Sequence, residues 1–350
     1  MNKTPGELLI RQSDLDSAVA AGVLPQQTAF ALADFVREGT ASSVSEDEQI
    51  RLVTGFGDIF VTLGIVLFLG ALSYILADWT ALVVAPVAWG LAELFTRQRR
   101  MALPSIVLLV AFVATLFFGT IDALGQGVSL TGSSPWVPAS AAVVALAGAA
   151  LHWWRFRVPI TIAAGFASFA ALVAALLFGQ FPELAPAFVF LPLGFAAFLL
   201  AMRFDMQDPL RQSRKADMAF WLHVLAAPMI VHSVMPWLAD TNSMTTIGAV
   251  AILSMFLVLA IVALVVDRRA LLVSSLAYVG YSLGALLPQS GFTLLEGGNF
   301  AVTLCVLGAV VLLLSLVWRP LRAQLLSLLP TRLTDRLPPP VTARGVKVAA

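Results

Sequence analysis

The sequence predicts an all-α, polytopic integral membrane bundle of ten transmembrane helices, with both termini cytoplasmic. Three observations predict it. Of 350 residues, 59% are hydrophobic and only 12% are charged; a soluble domain is roughly a quarter charged and under half apolar. Ten apolar runs follow residue 58, most close to the ~20 residues that cross a ~30 Å hydrocarbon core at ~1.5 Å per residue. Every lysine and arginine lies in alternate connections between those runs, as the positive-inside rule expects of a cytoplasmic face.

Residues 1–44 read as a cytoplasmic helical hairpin and linker. Ser13 is placed to cap a helix, with Asp16 completing a capping box. Leu15 and Val19 give that helix an apolar face, and Gly22 suits a left-handed stop. Pro25 opens a second helix running towards Glu38, with Leu24, Ala29, Leu32, Phe35 and Val36 as its apolar stripe. Such a hairpin is either a folded leader or a dock for a cytoplasmic protein partner. A flexible link over Gly39 to Val44 follows. Ser45 and Glu48 then cap a helix, EDEQIRLVTGFGD, that runs into the first span. No apolar stretch follows a basic start, so no cleavable signal peptide is expected.

Residues 45–318 form the ten-span bundle. The spans fall near 59–77, 79–96, 102–121, 136–154, 158–179, 184–202, 217–237, 245–266, 270–287 and 300–318. Four basic residues precede span 1. Three lie between spans 2 and 3, two between 4 and 5, four between 6 and 7, two between 8 and 9, and six after span 10, which accounts for all 21. Each opposite connection carries one acid: Asp78, Asp122, Glu183, Asp240 or Glu296. That rim either concentrates cations or simply gives the loops polarity.

Small residues mark packing faces, with Ala141, Ala145 and Ala149 in span 4 and Gly165 and Ser168 in span 5. Trp79, Trp136, Trp153, Trp154, Trp237 and Trp318 fall near span ends, as interfacial anchors do. In residues 319–337, Leu321, Leu325, Leu328 and Leu329 share a face flanked by Arg319, Arg322 and Arg332. This pattern reads as a basic amphipathic helix lying in the interface. Pro338 to Pro340 end it, and residues 338–350 read as a disordered tail.

The chain carries no GxxxxGK[ST], HExxH, CxxC or GxSxG pattern and no metal-ligand spacing. No enzyme activity, cofactor, metal or nucleic-acid partner is therefore expected. The one cysteine, Cys305, cannot form an intramolecular disulfide. Chemistry concentrates instead in the seventh span, Asp217 to Trp237, which holds His223, Pro228 and His232. Ionisable groups at membrane depth suggest function by default. Nine residues separate the two histidines, about 900° of helix, so they face opposite sides and share no ligand unless Pro228 distorts the helix. Ala216, Ala219, Ala226 and Ala227 give His223 a smooth packing face; Leu225, Met229 and Pro236 accompany His232. Each histidine is either a proton-responsive or substrate-contacting group, or a neutral side chain hydrogen-bonded between helices. Glu93 is the one acid well inside the predicted span limits, and can pair with Arg97 one turn on.

Pro86 in span 2 and Pro228 in span 7 are mid-span prolines in the second helix of each five-span half. Matched broken helices in inverted halves point to a transporter site at the midplane, although Pro192 in span 6 has no partner in span 1. A simpler repeat competes. The basic connections RQRRMALPS, RFRVPITIA and DRRALLVSS recur about every 55 residues, the length of a transmembrane hairpin.

The stretches SDLDSAVAAGVLPQQTAFALADF, YILADW, AFWLHVLAAPMIVH and VDRRALLVSSLAYVGY resemble a family of uncharacterised bacterial multi-pass membrane proteins. Those proteins join an N-terminal helical hairpin to a polytopic core. The resemblance implies a bacterial inner-membrane location and carries over no activity or site residue. Two functions remain open. One is a small-solute transporter with a midplane site beside Pro86 and Pro228, contacted by Glu93, His223 and His232. The other is a non-transporting scaffold or sensor whose hairpin docks a partner.

Overall fold

The computed structural model describes residues 12–32, 56–76, 80–124, 136–209, 211, 213–238, 245–289, 298–330 and 337–338. The chain divides into two compact units, residues 1–49 and residues 50–350. Each is described by itself.

In the first unit, α1 spans Gln12–Ala20 and α2 covers residues 26–32. Ser13 lies inside the first turn of α1 rather than at its cap. Gly22 adopts φ 69°, the left-handed stop expected of it. The Val23 amide then closes the helix end onto the Ala18 carbonyl at 2.9 Å. The Pro25 carbonyl accepts from Thr28 and Ala29 at 3.0 Å each, which starts α2. Leu15 and Ala29 are buried, whereas Val23 and Phe30 are exposed. The run towards Glu38, the linker and the Ser45–Glu48 cap lie outside the described residues.

The second unit is built of helices, with no strand among its described residues. Its helices are α3 (Phe56–Leu76), α4 (Thr80–Ala92, continuing as a π-turn over Glu93–Gln98), α5 (Ala102–Ala123), α6 (Trp136–Phe156) and α7 (Ile160–Gln180). They continue with α8 (Pro186–Gln207), α9 (Arg214–Leu238), α10 (Thr246–Val266), α11 (Ala270–Gln289) and α12 (Gly298–Ser327). A helix stands on each predicted apolar run. Eight of them are long and apolar enough to cross a membrane: α3, α5 to α10, and α12. The α-helical part of α4 is only 13 residues, and the apolar part of α11, Ala270–Gly284, is also short.

The small-residue faces pack as their spacing implies. Ala141, Ala145 and Ala149 are buried, and a Cβ on Gly165 would stand 3.9 Å from the Ala149 Cβ. The α6–α7 contact therefore runs backbone-close, which suits helices in lipid. On α8, a Cβ on Gly194 would meet Ile230 Cγ1 at 2.8 Å and the Ile230 backbone nitrogen at 3.1 Å. Only glycine allows α8 and α9 to lie this near. One apolar cluster joins Ala163 of α7, Ala201 of α8 and Leu222 of α9, and another joins α9 to α10, α11 and α12 around Ala227, Ala263, Leu271 and Trp318.

The basic connections are tight corners. Arg100, Arg157, Arg211 and Asp267 have φ of 54°, 56°, 55° and 60°, the four positive values at non-glycine residues among those described. Each stands between consecutive helices: α4 and α5, α6 and α7, α8 and α9, α10 and α11. Left-handed backbone is uncommon for a residue with a side chain, so one such residue at each corner is a repeated solution. The simpler hairpin repeat thus has a structural counterpart.

Two expectations about α12 take a different form. Trp318, read as an interfacial anchor, is 3% exposed inside the bundle. Arg322, read as flanking an interfacial helix, is also buried, and the helix continues unbroken through Pro320 to Ser327. Residues 331–336 lie outside the described set.

Candidate functional site

Polar chemistry collects where α8, α9 and the α10–α11 corner meet. α8 extends to Gln207, five residues beyond the predicted span. That extension carries Asp205 into the packed bundle, where it is 2% exposed. Asp205 has two partners from other elements. Arg268, at the α10–α11 corner, donates Nη2 to Oδ1 at 2.5 Å and Nε to Oδ2 at 3.3 Å. His223, in the third turn of α9, donates Nε2 to Oδ2 at 2.9 Å. Arg268 Nη2 also reaches the Ala216 carbonyl at 3.0 Å. Arg268 is 2% exposed and His223 has no exposed surface.

The carboxylate only accepts, so His223 must hold a proton on Nε2. In the neutral ring Nδ1 is then a bare acceptor, and it has no hydrogen-bond partner among the described residues. The Phe198 ring stands edge-on to the imidazole, its centroid 5.3 Å away.

A second node adjoins this one. Asp267, left-handed at the C-terminus of α10, accepts from Arg211 Nη1 at 3.2 Å and from Trp318 Nε1 at 2.8 Å. Arg322 Nε stands 3.7 Å from the same carboxylate and donates to the Leu264 carbonyl at 3.1 Å. Arg211 also donates to the carbonyls of Val266 and Asp267. These bonds satisfy carbonyls that every helix C-terminus leaves open. They also explain the burial of Trp318 and Arg322, both held by the carboxylate that the corner presents.

The three predicted polar contacts fall in three different settings. Glu93 opens the π-turn of α4. Its Oε2 stands 3.4 Å from Arg97, as its spacing allows, but the stronger partner is Arg155 on α6, at 2.7 Å from Nε and 2.8 Å from Nη2. This two-pronged pair is 28% exposed on each side. His223 sits in the buried node. His232 is exposed, and its Nδ1 meets the Tyr278 hydroxyl of α11 at 2.7 Å. Glu93 is not the only acid inside the helices, since Asp58 and Asp205 are both buried within them.

α4 and α9 run as helix through Pro86 and Pro228. Pro86 is exposed. Pro228 lines a groove of about 400 Å³ between the start of α8 and the second half of α9, together with Pro186, Phe190, Met229, His232 and Trp237. The groove is apolar save for His232 and Ser233, and Ser233 turns its hydroxyl back to the Met229 carbonyl at 2.6 Å. Pro228 and Pro236 lack the N–H that a regular helix would donate to the carbonyls of Val224 and His232.

The third histidine escaped sequence reasoning. His152 is 1% exposed, among the rings of Trp89, Phe112 and Phe156, with centroids 6.1, 6.2 and 4.6 Å away. Its Nδ1 meets Thr161 Oγ1 at 3.2 Å across the α6–α7 corner. The usable signal was its spacing from Ala145 and Ala149, which puts it on the buried stripe.

No group of His, Cys, Asp and Glu among the described residues is arranged to hold a metal ion. No family model, curated protein or solved structure matches the chain.

Proposed function

We propose that this chain is a ten-crossing bacterial inner-membrane protein, with both termini cytoplasmic, that moves a small neutral or weakly polar solute. The observation that carries the reading is the α8–α9 groove, which unites two features singled out by sequence, Pro228 and His232. Its volume falls within the ~300–1,000 Å³ of small-molecule sites. An apolar wall with one imidazole edge suits a solute with a small polar head and little charge.

The polar contacts support a common side for the basic corners. Asp205 and Arg268 link the end of α8 to the α10–α11 corner, and Glu93 and Arg155 link the ends of α4 and α6. Those ends carry the arginines, which the positive-inside rule assigns to the cytoplasm. α4 and α11 then complete the ten crossings, covered by their neighbours where they are short.

The test is thiol accessibility in the full chain. Cys305→Ser removes the native thiol, and Met229→Cys or Phe190→Cys places one in the groove. A membrane-impermeant reagent is applied to intact cells and to inverted vesicles. Labelling from both sides supports a passage. Labelling from neither side sinks it and favours the second reading, a scaffold or sensor docking a cytoplasmic partner. That reading draws on Val23 and Phe30, 74% and 58% exposed on the hairpin.

A further inference from the structure

We infer that His223 is a proton-binding site, and that taking up a proton at Nδ1 opens the junction of α8, α9 and the α10–α11 corner. The inference stands apart from the α8–α9 groove and does not depend on what the groove carries.

The chain makes the same clasp twice. Near the end of α4, Glu93 holds Arg155 across 62 residues; near the end of α8, Asp205 holds Arg268 across 63. In each case an acid near one helix end grips an arginine two helices later, beside a left-handed corner. The first clasp works without an imidazole. The second adds His223 and buries all three groups. A carboxylate–arginine pair is therefore enough to join such ends, and His223 brings something else.

What it brings is a buried atom with room for one proton. With His223 neutral, the Asp205 and Arg268 charges cancel. A proton arriving from the adjoining solution binds Nδ1, and the node then carries one net positive charge. The charged or titratable groups facing it are Asp205 on α8, Arg268 at the α10–α11 corner and Arg211 in the α8–α9 connection. Asp217, on α9 itself, interacts with Arg268. α7, which packs on Leu222, contributes no titratable side chain; α11 contributes Tyr278, held by His232, and Tyr281, which is exposed. No acceptor among the described residues stands ready for the new Nδ1–H. A buried donor left unmet is costly, and so is an unbalanced buried charge. Both costs fall if the junction parts and water reaches the ring. Uptake and opening are then one event.

The experiment uses the full chain in lipid bilayers, labelled with nitrogen-15 at histidine. Three histidines give three side-chain patterns, and His232→Gln assigns the exposed one. At neutral pH His223 should show a protonated Nε2 and a bare Nδ1. As the pH is lowered from neutrality over the window in which the chain stays folded, the Nδ1 signal should become protonated. Amide exchange in residues 216–226, corrected for its intrinsic pH dependence, should rise about tenfold per pH unit while one proton is coupled to opening. His223→Gln keeps a donor for Asp205 but cannot take the proton, so its corrected exchange should be flat with pH. A His223 ring neutral across the window, or a slope that persists in His223→Gln, overturns the inference. If His223→Gln does not fold, the unsubstituted chain still decides: protonation without opening, or opening without protonation, refutes it equally.

Discussion

Asp205 is 2% exposed and accepts from His223 once and from Arg268 twice. Asp205→Ala removes that carboxylate and leaves the guanidinium, also 2% exposed, with the Ala216 carbonyl still accepting from Nη2. Breaking a buried ion pair by deleting one partner costs ~3–5 kcal/mol, mostly because the survivor stays charged in a dry place. Asp205→Leu combined with Arg268→Met removes both charges at similar volume, and such swaps are often neutral or stabilising by ~1–4 kcal/mol. The double variant should therefore be more stable than Asp205→Ala, although His223 loses its acceptor. Reversible unfolding in mixed micelles, followed through the eight tryptophans, measures both. An Asp205→Ala loss below ~1 kcal/mol would refute the reasoning, since exposed pairs lose that little. So would a double variant as damaged as the sum of its single changes, because contacting residues should couple.

Glu93→Gln breaks a clasp whose partners are each 28% exposed, so the same assay should find a loss of at most ~1 kcal/mol. Gly194→Ala forces a Cβ towards the Ile230 backbone at 3.1 Å and should cost ~1–3 kcal/mol. Gly64→Ala, with nothing within 4 Å, should be neutral or stabilising by up to ~1 kcal/mol; a reversed order would show that α8 and α9 are not so close. Gly22→Ala puts a side chain at φ 69°. It should speed amide exchange at Val23, whose bond to Ala18 depends on that turn, by roughly fivefold, for a strain of ~1 kcal/mol. Tyr278→Phe removes the hydroxyl beside His232 Nδ1. The His232 nitrogen-15 signal should move while that of His223 stays.

Apolar length and small-residue stripes were legible because each is a one-dimensional pattern with a three-dimensional cause. Ala141, Ala145 and Ala149 lie where their period puts them, and so do Ala219 and Ala226 beside His223. The polar node was not legible. Asp205 follows the apolar run by three residues, and hydropathy ends a span where helical hydrogen bonding does not. Arg268 counts correctly as a basic connection residue, yet a corner can turn its guanidinium inward when a carboxylate waits there. Trp318 shows the same limit. A tryptophan at a span end is an anchor by base rate, but the Asp267 carboxylate gives its N–H a buried partner. Partners brought together from 62 or 63 residues away leave no local signal.

The four left-handed corners also determine where this chain tolerates added length. At these corners consecutive helices are joined by as few as three residues, as between Val266 and Ala270 or Phe156 and Ile160. One extra residue there would rotate the next helix by about 100° and turn its buried stripe away from the bundle. The join from Gln180 to Pro186 is longer, with five residues and no left-handed corner among them, and closure entropy grows only slowly with length. Epitope tags, reporter domains or rigid fiducials for imaging belong in that join rather than at the corners.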